Sequence, residues 1–429
     1  MLYEWHDIYS KSIRLSFQTA ANTLSFSGSL MSAFKLAGTP PGYNEFADSL
    51  LRSAHEMNEL SNDQPSPGFA LWSTRINGQR LVVNEEVLID RPFGQLLHFK
   101  CETGDRPRNV PKILIVAPIS GHKASILRDT VRELLPDSDV YVTQWKDARE
   151  VPVSKGNFTF EDYMHYVQDF IQEIGPDTHL IGISQSTVPV LAVTSLLAAR
   201  KDPCQPMSMT LMCGPIDPRI NETEVSRLTR QRGMNWIKNN LVTQVPSNYA
   251  GRGRDVFPGF LQSLGLSVAA PGNSDPMTLA KKVFGGQGEK LDADAPYYLD
   301  VIRQYFIEHS LPRGLMTWKN ERVDPSKIKH TALFTVEGSA DNITAPGQTS
   351  VAHKLCSQIP GNLRRHHLEV GAGHYDLFSG KHWDNKISSE IKDFIRKVAA
   401  TRGISYDPPQ AETSVKMQRI DGMKPALVA

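Results

Sequence analysis

The stretch DTHLIGISQSTVPVLAVTSLL, residues 177–197, constrains the fold of this chain more than any other. Residues 179–183, His-Leu-Ile-Gly-Ile, are predicted to form a buried strand. A tight turn is predicted at Ser184 and a helix opens near Val188. Pro189 fits the first turn of that helix, where its missing N–H costs nothing. A buried strand that runs directly into a helix indicates a sheet covered by helices.

The same alternation recurs along much of the chain. Strands are predicted at 80–89, 94–101, 113–116, 140–143, 207–212, 332–336 and 367–370. Helices are predicted up to about residue 135, after the capping residue Thr159, through 351–355, and over a final apolar stripe of Ile387, Ile391, Phe394, Ile395 and Val398. Strands that alternate with amphipathic helices form right-handed βαβ units, so the sequence predicts an α/β fold with a mostly parallel central sheet flanked by helices.

Five parts of the chain are distinguished. Residues 1–75 are predicted to be a helical N-terminal extension, closed by the proline-rich stretch at 63–68. Residues 76–214 and 331–400 are the two parts of the α/β core. The loop-rich, aromatic segment 215–330 interrupts them between the sixth and seventh core strands, which favours a cap over a site; extra helices packed on the core are the alternative. Residues 401–429 are polar and are expected to be a disordered tail.

Composition excludes several classes of protein. The net charge of the 429 residues is +1, which predicts no electrostatic attraction to nucleic acid. No apolar run reaches the roughly 20 residues that span a bilayer, and the N-terminal residues do not form a secretory signal. The four cysteines have no CxxC spacing, which favours a reducing, cytoplasmic compartment and argues against disulfides or a zinc site. No metal or cofactor is expected.

Within the stretch 177–197, residues 182–186 read Gly-Ile-Ser-Gln-Ser. This is the G-x-S-x-G pattern with serine in place of the last glycine. In that motif a serine sits on a strained strand-to-helix turn with its oxygen exposed above the sheet. The alternative interpretation is a strand-to-helix turn that uses small residues only for packing.

Two further residues complete a catalytic constellation with Ser184. In hydrolases with this elbow, the nucleophile, the acid and the histidine follow one another along the chain, each in a loop after a strand. Asp341 and His374 follow the predicted strands 332–336 and 367–370 in that order. Asp341 would orient the imidazole of His374, which would take the proton of Ser184. Taken singly, Asp341 could be a turn residue and His374 a loop histidine.

An ester hydrolase also needs donors for a tetrahedral oxyanion. One donor is expected to be the backbone N–H of Gln185. The second is expected in the loop after strand 113–116, from Ile119 or Ser120. His122 is a candidate to assist, and the alternative is that it caps the helix that follows. In the insertion, candidate substrate-binding aromatics are Trp236, Tyr249, Phe257 and Phe260.

Over residues 80–400 the chain resembles the intracellular polyhydroxyalkanoate (polyhydroxybutyrate, PHB) depolymerases of bacteria, which have the α/β-hydrolase fold. The start of the chain, MLYEWHDI, is also similar to them. The resemblance is carried by blocks in one order: APISGH (117–122), LRDTVRELLPD (127–137), WKDAR (145–149), SQSTVPVLA (184–192), CGPIDPR (213–219), FPGFLQ (257–262), TVEGSADNI (335–343), GQTSVAH (347–353) and GHYDLFSG (373–380).

The resemblance implies cleavage of ester bonds in poly(3-hydroxybutyrate), with the nucleophile at Ser184, the acid at Asp341 and the base at His374. It also implies a cytoplasmic enzyme at the surface of polyester granules, and leaves open a homo-oligomer and the acyl acceptor, water or coenzyme A. The chain departs from the family at the elbow, because familiar members carry cysteine at the nucleophile position, followed by Gln and Pro. The serine at position 186 favours a natural serine enzyme over an engineered replacement.

Two other functions stay open from the sequence. The first is a carboxylesterase that acts on small soluble esters. The second is a granule-binding protein that has kept the fold without catalysis, which the presence of both Asp341 and His374 disfavours.

Overall fold

A computed structural model describes residues 68–102, 108–259, 261 and 290–408, together with residues 18, 19, 22, 23 and 25, which are helical. Its main element is a nine-stranded sheet in the order β1-β2-β3-β5-β4-β6-β7-β13-β14. These strands are β1 (Ser73–Ile76), β2 (Gln79–Asp90), β3 (Gly94–Cys101), β4 (Lys112–Val116), β5 (Asp139–Trp145), β6 (Thr178–Ile183), β7 (Ser208–Met212), β13 (Ala332–Gly338) and β14 (Arg364–Glu369).

The sheet is antiparallel at one end and parallel over the rest. Strands β1, β2, β3 and β5 pair antiparallel in succession, whereas all pairs from β5 to β14 are parallel. The four strands β4, β6, β7 and β13 are buried almost throughout, as expected for a parallel sheet covered by helices. The predicted α/β fold is confirmed, and β1 is a strand that the sequence pattern did not predict.

Helices cover this sheet. They are α1 (Arg128–Leu134), α2 (Phe160–Ile174), α3 (Thr187–Arg200), α4 (Glu224–Leu241), α5 (Ala295–Val301), α6 (Ala352–Leu355), α7 (Gly380–His382) and α8 (Ser388–Ala400). Helix α2 packs against α3, and α8 packs against α1. The predicted apolar stripe is confirmed, since its five residues are buried; four of them lie on α8, and Ile387 ends the π-helix Trp383–Ile387 directly before it. Around residue 351 the expected helix is only one turn long.

Helix α2 begins where the sequence predicted. Thr159 accepts a hydrogen bond from the backbone N–H of Asp162, and the Asp162 carboxylate accepts one from the backbone N–H of Thr159. This reciprocal arrangement is a capping box, which satisfies two backbone donors that the first helical turn would leave unpaired. The cap fixes the start of a helix whose buried face includes Tyr163, a residue that contacts the candidate site.

The insertion between β7 and β13 breaks the strand–helix alternation, as predicted. It contains α4, which is kinked at Gly233, and α5, which continues into a π-helix at Ile302–Ile307. Two small antiparallel sheets complete it: β8 (Thr243–Gln244), β9 (Asp255–Phe257) and β10 (Ala293–Asp294) form one, and β11 (Thr317–Trp318) and β12 (Glu321–Arg322) form the other. With β1 counted, the insertion follows the seventh strand of the sheet. The assignment of this segment as a cap stays a prediction.

Both terminal predictions lie mostly outside the described residues. At the start of the predicted tail, the backbone N–H of Asp407 donates to the carbonyl of Asn109 at 2.8 Å, and the Asp407 carboxylate accepts from the N–H of Asn109 at 3.0 Å. Residues up to 408 therefore contact the core, which the polar composition did not reveal. Among the helices that the structure describes, none combines the length and apolar character needed to cross a membrane.

Candidate active site

The turn between β6 and α3 has the geometry of a nucleophile elbow. Ser184 follows the last residue of β6 with a φ of 56°, in the left-handed region that non-glycine residues rarely adopt. Residues Ser184–Ser186 form a single 3₁₀ turn before α3 begins at Thr187. A Cβ at Gly182 would lie 3.2 Å from the Cα of Thr187, so a larger residue there would require the helix to move by a few tenths of an ångström. The close approach of strand and helix favours glycine at this position.

Hydroxyl groups hold the elbow to its neighbours. The Ser186 hydroxyl donates to the carbonyl of Val116, at the end of β4, at 2.6 Å and accepts from the N–H of Ile183 at 2.7 Å. The Thr187 hydroxyl donates to the carbonyl of Ser184 at 2.8 Å. The serine at the last position of the pentad thus bonds the elbow to β4, a contact that the glycine of the usual motif could not make.

Asp341 lies in the loop after β13 and its carboxylate has three partners. Oδ1 accepts from the backbone N–H groups of Ile343 and Thr344, each at 2.9 Å. Oδ2 lies 2.8 Å from Nδ1 of His374. The two backbone donors leave one oxygen free to face the imidazole, so the loop determines which carboxylate oxygen meets the ring.

His374 lies in the loop after β14 and connects the other two residues. Its Nε2 lies 3.1 Å from Oγ of Ser184, while Nδ1 faces Asp341. The exposed fractions of the three residues are 9% for Ser184, 4% for Asp341 and 7% for His374. The structure therefore brings together a hydroxyl, an imidazole and a carboxylate that are far apart in the chain, in a site largely screened from water.

The loops that carry the acid and the histidine are bonded to each other. The N–H of Ala340 donates to the carbonyl of Ala372 at 3.0 Å, and the N–H of Gly371 donates to the Ser339 hydroxyl at 2.8 Å. A Cβ at Gly338 would lie 2.4 Å from the Ala372 carbonyl oxygen. The close approach of the two loops explains why a glycine ends β13.

Cys213 lies at the candidate site, and the sequence analysis did not single it out. It directly follows β7 and is fully buried, and its sulfur lies within 4.8 Å of ligand atoms of Asp341 and His374. Burial raises the pKa of the Cys213 thiol well above its ordinary value, and the charge of Asp341 raises it further. The available signal was its position at the end of a predicted strand.

Glu337 is a second residue that the sequence analysis missed. Its buried carboxylate accepts hydrogen bonds from the backbone N–H groups of Gly347, Thr349 and Ser350, at 2.8–3.0 Å. It therefore closes the loop that carries Asp341. An acidic residue in an otherwise apolar strand was the available signal, because a carboxylate is almost never buried without partners.

The candidate oxyanion residues lie in two segments. Gln185 follows Ser184, and Ile119 and Ser120 lie in the loop after β4. His122 forms a β-bridge with Lys290 of the insertion. The helical turn Ala124–Leu127 is preceded by Lys123, whose side chain makes no cap hydrogen bond, and both roles of His122 stay predictions.

The four candidate substrate-binding aromatics have different environments. Trp236 lies on α4, partly exposed, under the guanidinium of Arg232. Tyr249 is half-buried beneath Arg149, and Phe257 is buried in a stack on Tyr298 with ring centroids 3.6 Å apart. Phe260 lies outside the described residues. Contact between these rings and a substrate stays a prediction.

Comparison with known proteins gives a family match over the C-terminal part of the chain. The family model described as "PHB de-polymerase C-terminus" matches residues 213–273 and 268–399. This region includes the insertion, Asp341 and His374. None of the curated proteins compared with the chain matches it.

Among solved structures, similar ones include lipases and an esterase. A monoacylglycerol lipase from Paleococcus ferrophilus is 15% identical, with a TM-score of 0.39, over 67% of this chain and 96% of that chain. A soluble variant of monoglyceride lipase from Saccharomyces cerevisiae is 13% identical, with a TM-score of 0.44, over 78% and 99% of the two chains. A thermophilic esterase from Thermogutta terrifontis is 13% identical, with a TM-score of 0.39, over 76% and 97%.

The strand order of the sheet, the elbow after β6 and the family match agree with one another. Residues 213–399 match the PHB depolymerase family model, and the chain has the fold of an α/β-hydrolase, which supports a carboxylic ester hydrolase of the PHB depolymerase type.

Proposed function

We propose that the protein hydrolyses ester bonds of intracellular poly(3-hydroxybutyrate) or a related polyhydroxyalkanoate, with Ser184, His374 and Asp341 as its catalytic triad. One observation carries the proposal: the His374 ring lies between the two other groups, 3.1 Å from the Ser184 hydroxyl and 2.8 Å from the Asp341 carboxylate. These distances are within the reach that proton transfer and ring orientation require.

Each residue has a defined part in the proposed reaction. Nε2 of His374 takes the hydroxyl proton as Oγ of Ser184 attacks the ester carbonyl carbon, and Asp341 stabilises the resulting imidazolium through Nδ1. The oxyanion accepts hydrogen bonds from the N–H of Gln185 and from the Ile119–Ser120 loop. As the ester C–O bond breaks, His374 gives its proton to the leaving alkoxide. In the second half, Nε2 of His374 takes a proton from water as the water oxygen attacks the acyl carbon. It gives that proton to Oγ of Ser184 as the bond between the acyl carbon and Oγ breaks and the hydroxyacid leaves.

The family match and the chemistry of the chain support a polyester substrate. The polymer is neutral and apolar, and the chain has a net charge of +1 and an aromatic insertion. Such a substrate would be held by apolar contact more than by ion pairs. Association with the granule surface in the cytoplasm belongs to the same proposal.

The depth of the site favours a second candidate function, hydrolysis of small soluble esters. Ser184 is only 9% exposed, and a small acyl group reaches a buried hydroxyl more easily than a polymer chain does. Activity on p-nitrophenyl butanoate with none on amorphous granules would favour this second candidate. Granule binding without cleavage of either substrate would instead indicate a non-catalytic granule protein.

The decisive experiment measures release of 3-hydroxybutyrate from amorphous granules by the wild type and by Ser184→Ala. We expect the substitution to reduce the rate by at least about a thousandfold, because the remaining residues cannot supply a nucleophile. Ser195→Ala is a matched control: Ser195 is also a buried serine, but its hydroxyl bonds within α3, to the Leu191 carbonyl. Full activity of Ser184→Ala would refute the proposed mechanism.

A further inference from the structure

Two carbonyl groups beside the candidate oxyanion donors accept hydrogen bonds from buried aromatic side chains. The carbonyl of Ala117, at the start of the loop with Ile119 and Ser120, accepts from the Tyr163 hydroxyl at 2.8 Å and from Nε1 of Trp145 at 2.7 Å. The carbonyl of Gln185 accepts from the Tyr305 hydroxyl at 3.2 Å. Thus each of the two segments that would stabilise the oxyanion accepts a hydrogen bond from a tyrosine hydroxyl at one of its backbone carbonyl groups.

These side chains belong to one buried aromatic cluster. Trp145 stacks on Tyr163 with ring centroids 4.2 Å apart, and Tyr163 stacks on Tyr297 at 5.5 Å. Tyr305 packs edge-on against Phe160 at 5.7 Å and is 3% exposed. Burial raises the pKa of the Tyr163 and Tyr305 phenols well above their ordinary value of 10. Both hydroxyls therefore keep their protons and remain donors in neutral and mildly alkaline solution.

The two tyrosines come from different parts of the chain. Tyr163 lies on α2 of the core, whereas Tyr305 lies in the π-helix Ile302–Ile307 of the insertion. A π-helix segment inside a helix is uncommon and often marks a functional position. The insertion therefore contributes a hydrogen bond to the turn that carries Ser184, in addition to its packing on the core.

The hydrogen bonds around Gln185 fix its backbone from both sides. The Thr187 hydroxyl holds the Ser184 carbonyl, which belongs to the same peptide plane as the Gln185 N–H. The Tyr305 hydroxyl holds the Gln185 carbonyl, in the next peptide plane. With both planes held, the two dihedral angles at Gln185 are restricted, and so is the direction of its N–H.

We propose that Tyr305 is a positioning residue through which the insertion orients the Gln185 N–H toward the oxyanion. The inference rests on the proposed function, because the oxyanion role of Gln185 is part of it. In the described part of the chain, the Tyr305 hydroxyl bonds to the Gln185 carbonyl and to none of Ser184, Asp341 and His374. Its effect is on the transition state, where the oxyanion develops, more than on binding of the neutral ester.

The test is Tyr305→Phe, which removes only the hydroxyl and keeps the ring. We expect kcat on p-nitrophenyl butanoate to fall roughly tenfold, the worth of one neutral hydrogen bond, with KM within about twofold of the wild type. The rate of covalent labelling of Ser184 by a fluorophosphonate should fall by a similar factor, because that reaction also develops negative charge on an oxygen beside the Gln185 N–H.

Tyr297→Phe is the matched control. Tyr297 is buried in the same cluster and comes from the same insertion, and among the described residues no hydrogen bond joins its hydroxyl to Ser184–Ser186 or to Ala117. We expect wild-type kcat from this variant and a similar melting temperature for both variants. Equal kcat values for the two variants would overturn the inference, as would a loss in Tyr305→Phe that appears only in KM.

The failure of this inference and that of the proposed function are distinguishable. If Ser184→Ala is inactive and Tyr305→Phe behaves as the wild type, the triad stands and the positioning role of Tyr305 is wrong. If Ser184→Ala is fully active, the proposed function fails, and any effect of Tyr305→Phe then has another cause.

Discussion

Ser184 adopts a left-handed backbone conformation that costs a non-glycine residue on the order of 1–3 kcal/mol, and the surrounding residues have to maintain it. Three contacts do so: the Ser186 hydroxyl on β4, the Thr187 hydroxyl on the Ser184 carbonyl, and the close packing of Gly182 on Thr187. This conformation places the serine oxygen outside the sheet, beyond the end of β6. Its position is thus a property of several small residues acting together.

A methyl group added at Gly214 tests whether the position of Ser184 depends on the Thr187 hydroxyl. A Cβ added there would lie 1.8 Å from Oγ1 of Thr187, the hydroxyl that holds the elbow. We expect Gly214→Ala to lower the free energy of unfolding by about 1–3 kcal/mol, as overpacking does, and to reduce esterase activity because the Thr187 hydroxyl must move. Urea denaturation measures the first effect, and turnover of p-nitrophenyl butanoate measures the second.

Gly361→Ala is the control for that substitution, because nothing lies within 4 Å of a Cβ at Gly361. We expect its stability to remain within about 0.5 kcal/mol of the wild type, the usual range for a surface change. A Gly214→Ala protein as stable and active as Gly361→Ala would mean that the elbow tolerates displacement of Thr187.

Among the elements, α2 connects local sequence to the site most directly. Its capping box at Thr159 fixes where the helix starts, and one turn later Tyr163 reaches the Ala117 carbonyl. The apolar face of the helix packs in the core beside α3. A signal of four residues therefore helps to place a side chain that bonds to the loop after β4.

The contribution of the cap is measurable by substitution of Thr159. We expect Thr159→Ala to lower the free energy of unfolding by about 1 kcal/mol, because the N–H of Asp162 loses its partner. Thr159→Ser keeps the hydroxyl and should stay close to the wild type. Thermal or urea unfolding followed by circular dichroism compares the three proteins, and equal stability of Thr159→Ala and Thr159→Ser would contradict the role of the cap.

At the scale of the molecule, the insertion is attached to the core by buried polar contacts. The Arg254 guanidinium of the insertion pairs with Asp294 at 3.1 Å and donates to the carbonyl groups of Val151 and Pro152 in the core. Beside it, Asp147 accepts from the N–H of Asp292 at 3.2 Å. Such contacts fix the geometry of docking, because a buried polar group that loses its partner is costly.

Asp147 makes this attachment sensitive to pH. Burial, together with the nearby charge of Asp292, raises the pKa of Asp147 from 3.8 to about 7. The folded protein therefore holds a proton on Asp147 that the unfolded chain releases at lower pH. The stability that this proton contributes is fully present below about pH 4 and is lost as the pH rises through about 7.

We expect Asp147→Asn to remove this contribution. Between pH 5 and 8, the free energy of unfolding of the variant should rise relative to that of the wild type. Asp217→Asn is the control, because the Arg219 partner holds the pKa of Asp217 below its ordinary value, so its contribution is constant over this range. Urea denaturation at several pH values measures both differences, and a constant difference for Asp147→Asn would contradict the raised pKa.

The sequence by itself determined the elements that depend on near neighbours in the chain. Short apolar runs predicted the strands around Ile113–Val116 and Ser208–Met212. The hydroxyl of Thr159 predicted the start of α2. The order of Ser184, Asp341 and His374, each after a strand, predicted that all three lie at one edge of a parallel sheet. These signals are local because hydrogen bonding and side-chain alternation repeat over a few residues.

Only the tertiary structure decided which side chains meet across long stretches of chain. Cys213 lies beside Asp341 and His374, Glu337 binds the backbone of Gly347, and Tyr305 binds that of Gln185. These pairs are 10 to 161 positions apart in the chain. With a different strand order, the same side chains would be ordinary buried residues away from the site. Packing fixes distances between distant segments, and no local pattern of amino acids encodes them.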